Sequence, residues 1–329
     1  MFLLIDGNNL AWAGFYALER AMKPEDDERR HRVAMLGLAG MVLGAIARCG
    51  EPPGKEPPEP LTRVAICFDM GRPVRRRELY PNYQMDREYD PKFVQNEPTI
   101  LRAIDEFAAA MHCAPVEVLR GENTEADDLI AGLVQAEPKA VKRIVSTDRD
   151  FLQLVGPKTS VYAPVKKAII DQSNFFEMAA PRTSSGAIVT FPQERFLDYR
   201  ALTGDPSDSV PGVPGVGPLS AAKLLAVAPL DSFFGKPAAV RTALGRKSDA
   251  VERAFADGTA ERVVSRNREL MDLRLPSPVW PRIGEMTSRG RWDRPTFERW
   301  YDEQRISAVV KEELIRRLEH IASLQEAAR

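Results

Sequence analysis

The chain has 329 residues, and its 46 Lys and Arg against 47 Asp and Glu give a formal charge of −1. Hydrophobic residues make up 44% and charged residues 28% of the chain, which excludes a wholly disordered or collagen-like protein and predicts roughly two globular domains. Three scattered cysteines exclude a disulfide framework, and the longest uncharged stretch, residues 33–47, is shorter than the ~18 residues of a membrane span.

The first part of the chain predicts a domain in which strands and helices alternate. Apolar runs predict strands over residues 2–5, 64–68, 116–119, 143–145, 161–162 and 168–170. Helical spacing predicts helices over residues 10–22, 33–48, 99–111 and 126–134, with a Pro-rich loop over 52–60. This alternation predicts an α/β fold with a mainly parallel sheet.

After Phe191 the pattern changes to helical spacing interrupted by Gly and Pro. The spacing predicts turns over residues 204–218, a helix over 218–227, and one or two amphipathic helices over 297–325. Pro, Thr, Ser and Gly residues between 181 and 186 favour a boundary near residues 180–190. We therefore predict one domain over residues 1–185 and a second over residues 186–329.

Acidic residues follow three of the predicted strands where each strand ends. Asp6 and Asp69 come directly after the first two, and Asp148 and Asp150 follow the strand that ends at residue 145. Because parallel strands present their carboxyl ends at one edge, these acids are expected to converge. Converging carboxylates repel one another and require cations, and a set without His or Cys favours Mg²⁺, Mn²⁺ or Ca²⁺. Carboxylate sites with two metals about 3.5–4 Å apart serve phosphodiester chemistry.

Two further acidic groups belong to the same hypothesis. Glu125, Asp127 and Asp128 open a predicted helix, and Asp205 and Asp208 lie in the second domain. Each group also has an ordinary structural interpretation, because residues 124–127 match a capping box and residues 205–208 match a turn. All the acidic groups would have to take such ordinary roles at once, so a shared metal site is favoured.

Residues 210–223 combine a Gly-rich hairpin with the start of a helix. Gly215 and Gly217 permit a close backbone approach, and Pro218 suits the first helical turn. The N–H groups of such a helix start can hold a phosphate, with Lys223 on the same side. The order of the glycines matches neither a dinucleotide-binding fingerprint nor a Walker loop. The segment predicts a helix–hairpin–helix that grips the DNA backbone, with a plain interdomain loop as the alternative.

Residues 72–92 interleave cations with aromatic rings, a composition that suits single-stranded nucleic acid because charges follow phosphates and rings stack on bases. These residues are Arg72, Arg75, Arg76, Arg77, Tyr80, Tyr83, Arg87, Tyr89 and Lys92. A solvated basic helix face is the ordinary alternative. The position of the stretch directly after the strand that precedes Asp69 favours nucleic acid.

Together these stretches resemble the 5′-nuclease superfamily, which includes phage 5′→3′ exonucleases, the 5′-nuclease domain of bacterial DNA polymerase I, and flap endonucleases. The resemblance covers roughly residues 1–275 and keeps the family's order. It rests on LIDGN at 4–8, CFD at 67–69, residues 76–83, TEADD at 124–128, STDRD at 146–150 and residues 202–217.

The resemblance implies a PIN-like domain with helices on both faces of its sheet, a helical arch over about residues 71–98, and a C-terminal helix–hairpin–helix (helix-3-turn-helix) domain. It implies two ions, Mg²⁺ or Mn²⁺. The first would be surrounded by Asp6, Asp69, Glu125, Asp127 and Asp128, and the second by Asp148, Asp150, Asp205 and Asp208. A K⁺ ion held by carbonyls of the hairpin is a further implication.

The resemblance also implies a DNA-binding surface formed by Arg72, Arg75, Arg76, Tyr83, Gln84, Arg87, Gly215, Gly217 and Lys223. In one respect the chain departs from the family, which usually has Lys directly after Tyr83, where this chain has Gln84. Because Gln84 carries no charge, Arg76 or Arg87 is predicted to act as the catalytic cation, with Lys92 as another nearby source. Loss of such an electrostatic donor typically costs about 10²–10³ in rate.

We therefore expect a Mg²⁺-dependent 5′→3′ exonuclease and structure-specific 5′-flap endonuclease with a two-metal mechanism. Its expected partner is DNA with 5′ single-strand/duplex junctions, including flaps, nicks and RNA–DNA primers. We expect a monomer in the cytoplasm of a bacterium or phage-infected cell, without a membrane partner. One alternative is a catalytically weak or inactive branched-DNA-binding protein on the same fold, which Gln84 favours. The other is a PIN-type ribonuclease, which would need neither the hairpin nor Asp205 and Asp208.

Overall fold

The computed structural model of the chain describes residues 1–52, 54–55, 57, 59–274, 282–306 and 310–327. Its strands are β1 (Phe2–Asp6), β2 (Arg63–Phe68), β3 (Glu117–Arg120), β4 (Lys142–Val145), β5 (Thr159–Ala163), β6 (Ala168–Ile170), β7 (Gly204–Asp205), β8 (Val210–Pro211) and β9 (Thr287–Arg289). Each of the six strands predicted before residue 171 is present within two residues of its predicted bounds.

The helices of the first half are α1 (Gly7–Met22), α2 (Asp27–Ala47), α3 (Val74–Leu79), α4 (Met85–Tyr89), α5 (Pro91–Ala110) and α6 (Ala126–Ala136). Those of the second half are α7 (Phe175–Ala179), α8 (Phe196–Thr203), α9 (Pro218–Val227), α10 (Pro237–Leu244), α11 (Asp249–Ala256), α12 (Thr259–Met271), α13 (Arg294–Glu303) and α14 (Lys311–Ala327). Helix α9 has its predicted bounds. The loop predicted over residues 52–60 lies partly outside the described residues.

The chain forms two compact units. The first contains Met1–Arg72, Lys92–Asp171 and the described part of residues 276–329. The second contains Pro73–Pro91 and the described part of residues 172–275. The division differs from the single boundary expected near residues 180–190, because most of the segment predicted as an arch packs within the second unit and the C-terminal elements pack within the first.

The first unit is built on a seven-stranded sheet with the order β6-β5-β4-β1-β2-β3-β9. The five strands from β5 to β3 in this order are parallel, and the edge strands β6 and β9 are antiparallel to their neighbours. The chain fills one side of β1 with β2 and β3 before it crosses to β4 on the other side. This confirms the predicted mainly parallel α/β fold, and it makes the carboxyl end of β1 a topological switch point.

Helices cover both faces of this sheet, as predicted. Leu3 and Ile5 of β1 pack in one core with residues of α1, α2, α5, α13 and α14. Because side chains alternate along a strand, the intervening residues face the other way, and α6 packs against β1, β2 and β3. In the part of the chain that the structure describes, α2 is the one helix long and apolar enough to cross a membrane, and 67% of its apolar window is buried within the fold.

The second unit is mainly helical. Helix α8 packs against α9 and α12, α10 packs against α9 and α11, and β7 and β8 form a short antiparallel ladder. One of its apolar clusters joins Tyr83 from the segment 73–91 to Leu197, Val210, Leu270 and Met271. Tyr83 is only 3% exposed, so this aromatic residue of the basic stretch belongs to a core.

Candidate active site

The acids of the first unit lie after strands that are direct neighbours in the sheet. Asp6 is the last residue of β1, Asp69 follows β2, and Asp148 follows β4. In the parallel register Asp6 lies opposite Cys67 of β2, and Ile5 lies opposite Val145 of β4. The three chain segments therefore leave the sheet at the same edge, at its switch point.

Two asparagines at the start of α1 tie this edge together. The Asn8 side-chain oxygen accepts a hydrogen bond of 3.0 Å from the Asp69 backbone N–H. The Asn9 side-chain oxygen accepts hydrogen bonds from the Thr147 backbone N–H (2.9 Å) and hydroxyl (2.8 Å). The loop after β1 thereby fixes the loops after both neighbouring strands.

Gly7 permits this close arrangement. A Cβ atom built on Gly7 would lie 2.3 Å from the ring atom Cε1 of Phe68 in β2, which is far inside van der Waals contact. With any other residue here, the Phe68 ring or the backbone would have to shift for α1 to begin directly after β1. Asp6 serves as the N-cap of α1, since its Oδ1 accepts a 3.1 Å hydrogen bond from the Asn9 backbone N–H.

Ser146 connects two of the predicted metal-binding acids. Its hydroxyl donates to Asp6 Oδ2 at 2.8 Å and accepts from the Asp148 backbone N–H at 3.0 Å. Asp148 Oδ1 in turn accepts a 2.7 Å hydrogen bond from the Asp150 backbone N–H. These contacts orient the carboxylate of Asp6 and the turn that carries Asp148 and Asp150.

The acids at the start of α6 belong to the same edge. Asp69 Oδ1 accepts a 2.8 Å hydrogen bond from the first backbone N–H of α6, that of Ala126. The N-cap of α6 is Glu125 and not Thr124, so the capping-box interpretation of residues 124–127 does not describe this helix start. Glu125 is buried, while Asp127 and Asp128 in the first turn are partly exposed.

The electrostatics of this edge favour a cation. Burial, together with the negative charge of Asp69, raises the pKa of Asp6 from 3.8 to about 7. Burial and the charges of Asp6, Glu117 and Asp69 raise the pKa of the Cys67 thiol, so this cysteine is an inert neighbour. A positive ion would offset the repulsion between the buried Asp6 carboxylate and Asp69.

The donor chemistry of the edge fits a hard divalent ion. Its donors are carboxylate oxygens, which Mg²⁺ and Mn²⁺ prefer, without a histidine or a reactive thiol among them. Among the described residues, no three His, Cys, Asp or Glu side chains are drawn together closely enough to hold an ion as they stand. The acids are therefore placed at one edge, and ion binding requires their side chains to approach one another more closely.

The Gly-rich segment lies in the second unit and has the predicted hairpin-to-helix form. Gly215 has φ of 79°, and a Cβ there would lie 3.2 Å from the side chains of Ala250 and Val251. Gly217 occupies the N-cap position of α9, and no side chain caps the first N–H groups of this helix. Lys223 is exposed nearly two turns further along α9. The exposed glycines and lysine leave this surface accessible to a phosphate backbone.

Asp205, in the second unit, is held on both carboxylate oxygens. Oδ1 accepts from the Ser207 backbone N–H (2.8 Å) and hydroxyl (2.5 Å), and Oδ2 is paired with the Arg200 guanidinium. Burial acts to raise the pKa of Asp205, but Arg200 and the hydrogen bonds from Ser207 outweigh it and hold this pKa below its usual value.

Asp208 accepts from three side chains of the segment 73–91 within the same unit. Arg87 Nη2 donates to Asp208 Oδ1 at 2.6 Å, and Gln84 Nε2 donates to the same oxygen at 3.1 Å. The Tyr83 hydroxyl donates to Asp208 Oδ2 at 3.2 Å. Burial raises the pKa of Asp208 above its usual value, and Arg87 opposes this shift.

The other predicted DNA contacts have varied surroundings. Arg76 is buried in the second unit, where its Nε donates to the Leu270 carbonyl at 3.0 Å. Arg75 is exposed on α3. In the first unit, Arg72 lies 3.6 Å from the Glu97 carboxylate and is exposed.

The predicted site residues thus fall into two groups. The first unit brings Asp6, Asp69, Glu125, Asp127, Asp128, Asp148 and Asp150 to one sheet edge, and the second unit contains Asp205, Asp208, the hairpin and most of the basic stretch. No sequence pattern predicted a role for Asn8, Asn9, Ser146 or Arg200. The polar run at residues 6–9 directly after a buried strand was the available signal for the asparagines.

Comparisons with known proteins agree with these observations. The family model described as "5′-3′ exonuclease, N-terminal resolvase-like domain" matches residues 1–180. DNA polymerase I of Mycobacterium bovis is 32% identical over 307 residues, which cover 92% of this chain and 30% of the polymerase. The chain therefore spans less than a third of the length of that relative.

Solved structures share the fold. The T5 D15 protein co-crystallised with metal ions matches with a TM-score of 0.59 and 15% identity, covering 95% of this chain and 99% of that one. The bacteriophage T5 D15 flap endonuclease in a pseudo-enzyme–product complex with DNA and metal ions matches with a TM-score of 0.56 and 17% identity, covering 99% of each chain.

Proposed function

Because this chain belongs to the 5′-3′ exonuclease family, we propose that it is a metal-dependent 5′→3′ exonuclease and structure-specific 5′-flap endonuclease of DNA. The observation that carries the proposal is the gathering of acids at the carboxyl ends of β1, β2 and β4, fixed by Asn8, Asn9 and Ser146. An all-oxygen edge at the switch point of a parallel sheet suits phosphodiester hydrolysis.

The proposed cofactor is a pair of divalent ions, Mg²⁺ or Mn²⁺. When bound, such ions lower the pKa of water and balance negative charge on the attacking and leaving oxygens of a phosphodiester. The residues proposed to hold them are Asp6, Asp69, Glu125, Asp127, Asp128, Asp148 and Asp150.

The protein's own contribution is to keep these acids oriented. Ser146 holds the Asp6 carboxylate, and the first amide of α6 holds Asp69. Burial and the charge of Asp69 raise the pKa of Asp6 to about 7, so the Asp6 carboxylate is readily protonated near neutral pH when no cation is bound. A bound cation would stabilise its ionised form. The edge is therefore expected to lose affinity for ions as the pH falls through neutrality.

The proposed substrate is DNA with a 5′ single-strand/duplex junction, including flaps, nicks and RNA–DNA primers. The exposed hairpin at Gly215 and Gly217, followed by Lys223 on α9, supports contact with a duplex backbone without sequence preference. A K⁺ ion at the hairpin carbonyls remains a prediction. We also propose that the chain acts as a monomer in the cytoplasm of a bacterium or phage-infected cell.

A flap duplex labelled at its 5′ end tests this function. The wild-type chain in millimolar Mg²⁺ should release a short labelled oligonucleotide from near the junction, and Asp148→Ala should release none. Release of labelled mononucleotides would make the activity chiefly exonucleolytic. Asp27→Ala, which removes an exposed carboxylate from α2, is the matched control and should cleave like the wild type.

Three results would contradict the proposal. Retarded DNA without cleavage in Mg²⁺ or Mn²⁺ would favour a branched-DNA-binding protein, and Gln84 would then be the leading explanation. Cleavage of single-stranded RNA without cleavage of the DNA flap would favour a PIN-type ribonuclease. Equal cleavage by the wild type and Asp148→Ala would place the chemistry elsewhere in the molecule.

A further inference from the structure

We infer that Asp205 and Asp208 are not metal ligands in this chain: Asp205 is paired with Arg200, and Asp208 is an anchor that holds residues 73–91 in place within the second unit. The inference rests on the proposed function, in which acids of the first unit bind metal ions. It assigns Asp205 and Asp208 a different role from those acids. It revises the sequence-based prediction that both acids surround a second ion.

Both carboxylate oxygens of Asp205 are engaged within the second unit, and Oδ2 is engaged by a positive charge. The Ser207 amide and hydroxyl both donate to Oδ1, and Arg200 is paired with Oδ2. The Arg200 and Asp205 side chains are only 8% and 10% exposed. A divalent ion at Oδ2 would meet the positive charge of a buried guanidinium, and displacing that guanidinium would break a buried ion pair.

Asp208 is occupied in the same way, by residues far away in the sequence. Arg87 and Gln84 donate to Oδ1 and Tyr83 donates to Oδ2. The Asp208 side chain is 14% exposed. The charge of Arg87 already balances that of Asp208, so the pair offers a second positive ion little attraction.

The backbone reinforces the contact between the two segments. The Gln84 N–H donates to the Asp208 carbonyl at 2.9 Å, and the Asp86 N–H donates to the Ser209 hydroxyl at 3.0 Å. Arg87 Nε donates to the Ser207 carbonyl at 3.3 Å. Gln84 adopts a left-handed conformation with φ of 58°, which is uncommon for a residue other than glycine. These bonds fix the segment in the geometry that aims Gln84 and Arg87 at Asp208.

This arrangement also gives a physical reason for Gln84. A neutral amide can share Asp208 Oδ1 with Arg87, whereas a lysine there would place a second positive charge beside that guanidinium. Position 84 in this chain therefore serves the anchor. Arg87, predicted as a catalytic cation, pairs with Asp208 in the same anchor.

Two measurements on the full-length, DNA-free protein test the inference. Binding of Mn²⁺ is followed by the paramagnetic resonance signal of the free ion, and hydrogen exchange is followed in peptides that cover residues 73–91. Asp208→Asn should leave the number and affinity of bound Mn²⁺ ions unchanged and should speed exchange in residues 73–91 by about tenfold or more, as for a lost charge-assisted hydrogen bond. Asp148→Asn should do the reverse, weakening Mn²⁺ binding by at least about tenfold and leaving that exchange unchanged.

The opposite pattern overturns the inference: Asp208→Asn would lose a class of bound Mn²⁺ while residues 73–91 kept their protection. If Asp208→Asn does not fold, Arg87→Gln decides, because an anchor predicts faster exchange in residues 73–91 and a masked metal site predicts tighter Mn²⁺ binding. A wild type that binds no Mn²⁺ contradicts the proposed function alone, since faster exchange in Asp208→Asn would still support the anchor.

Discussion

Asp6→Asn is expected to stabilise the metal-free protein at alkaline pH although it removes a proposed ligand. The folded-state pKa of Asp6 is raised to about 7, so the folded chain binds this proton more tightly than the unfolded chain does. Below about pH 4 the group is protonated in both states and contributes nothing to stability. As the pH rises from about 4 to about 7, ionisation of Asp6 increasingly lowers the free energy of unfolding. Above about pH 7 this destabilising contribution stays constant.

The size of the effect follows from the two pKa values. The difference between 3.8 and about 7 corresponds to about 4 kcal/mol, at about 1.4 kcal/mol per pKa unit. An asparagine at position 6 can still accept the cap hydrogen bond from the Asn9 backbone N–H, but it loses the hydrogen bond donated by Ser146. This loss offsets about 1 kcal/mol of the gain in stability. The net gain at pH 8 is therefore about 3 kcal/mol, or roughly 6–12 °C in Tm.

Thermal unfolding in a chelator at pH 5 and pH 8 measures this gain. The Tm difference between Asp6→Asn and the wild type should grow from pH 5 to pH 8, and added Mg²⁺ should reverse it by stabilising only the wild type. Asp26→Asn is the control, because Asp26 is likewise a helix N-cap but an exposed one, and its effect should not depend on Mg²⁺. A lower Tm for Asp6→Asn at pH 8 without metal would refute the reasoning, as would a Tm difference that does not change with pH.

Three further substitutions test separate parts of the structure. Gly7→Ala drives a Cβ into the Phe68 ring and should destabilise the chain by about 1–3 kcal/mol in chemical denaturation, whereas Gly40→Ala, in open space on α2, should be neutral or stabilising by up to about 1 kcal/mol. Ser146→Ala should weaken Mn²⁺ binding by about tenfold in a direct titration, and an unchanged affinity would mean that its hydroxyl does not organise the edge. Lys223→Ala should weaken binding to flap DNA and reduce the slope of log affinity against log salt by about 1, and an unchanged slope would remove α9 from the DNA interface.

The sheet and its acidic edge were predictable because they follow from local rules. A buried strand is an apolar run, its end is marked by the first acidic residue, and parallel pairing then brings Asp6 and Asp69 to one edge. The asparagines could not be assigned in the same way, because an Asn after a strand looks the same whether it closes a turn or bonds to a neighbouring loop. Only the strand order shows that Asn8 reaches the β2 loop and Asn9 the β4 loop.

The segment 73–91 could not be predicted for a different reason. Arginines between tyrosines look the same in sequence whether the rings stack on bases or pack in a core. The structure buries Tyr83 in an apolar cluster and pairs Arg87 with Asp208, 121 residues away, and no local pattern encodes a partner at that distance. The antiparallel edge strand β9 was missed likewise, because three residues of mostly polar character form a strand only through pairing with β3.

The most direct test of the acidic edge as a catalytic centre is the single-turnover rate of 5′-flap cleavage as a function of Mg²⁺ concentration. The wild-type rate should rise from zero in a chelator to a plateau, and Asp148→Asn should cut the plateau by at least about 10²-fold, since it removes a charged donor at the reacting centre. Wild-type cleavage that persists in a chelator, or an Asp148→Asn plateau equal to that of the wild type, would contradict the assignment of the chemistry to this edge.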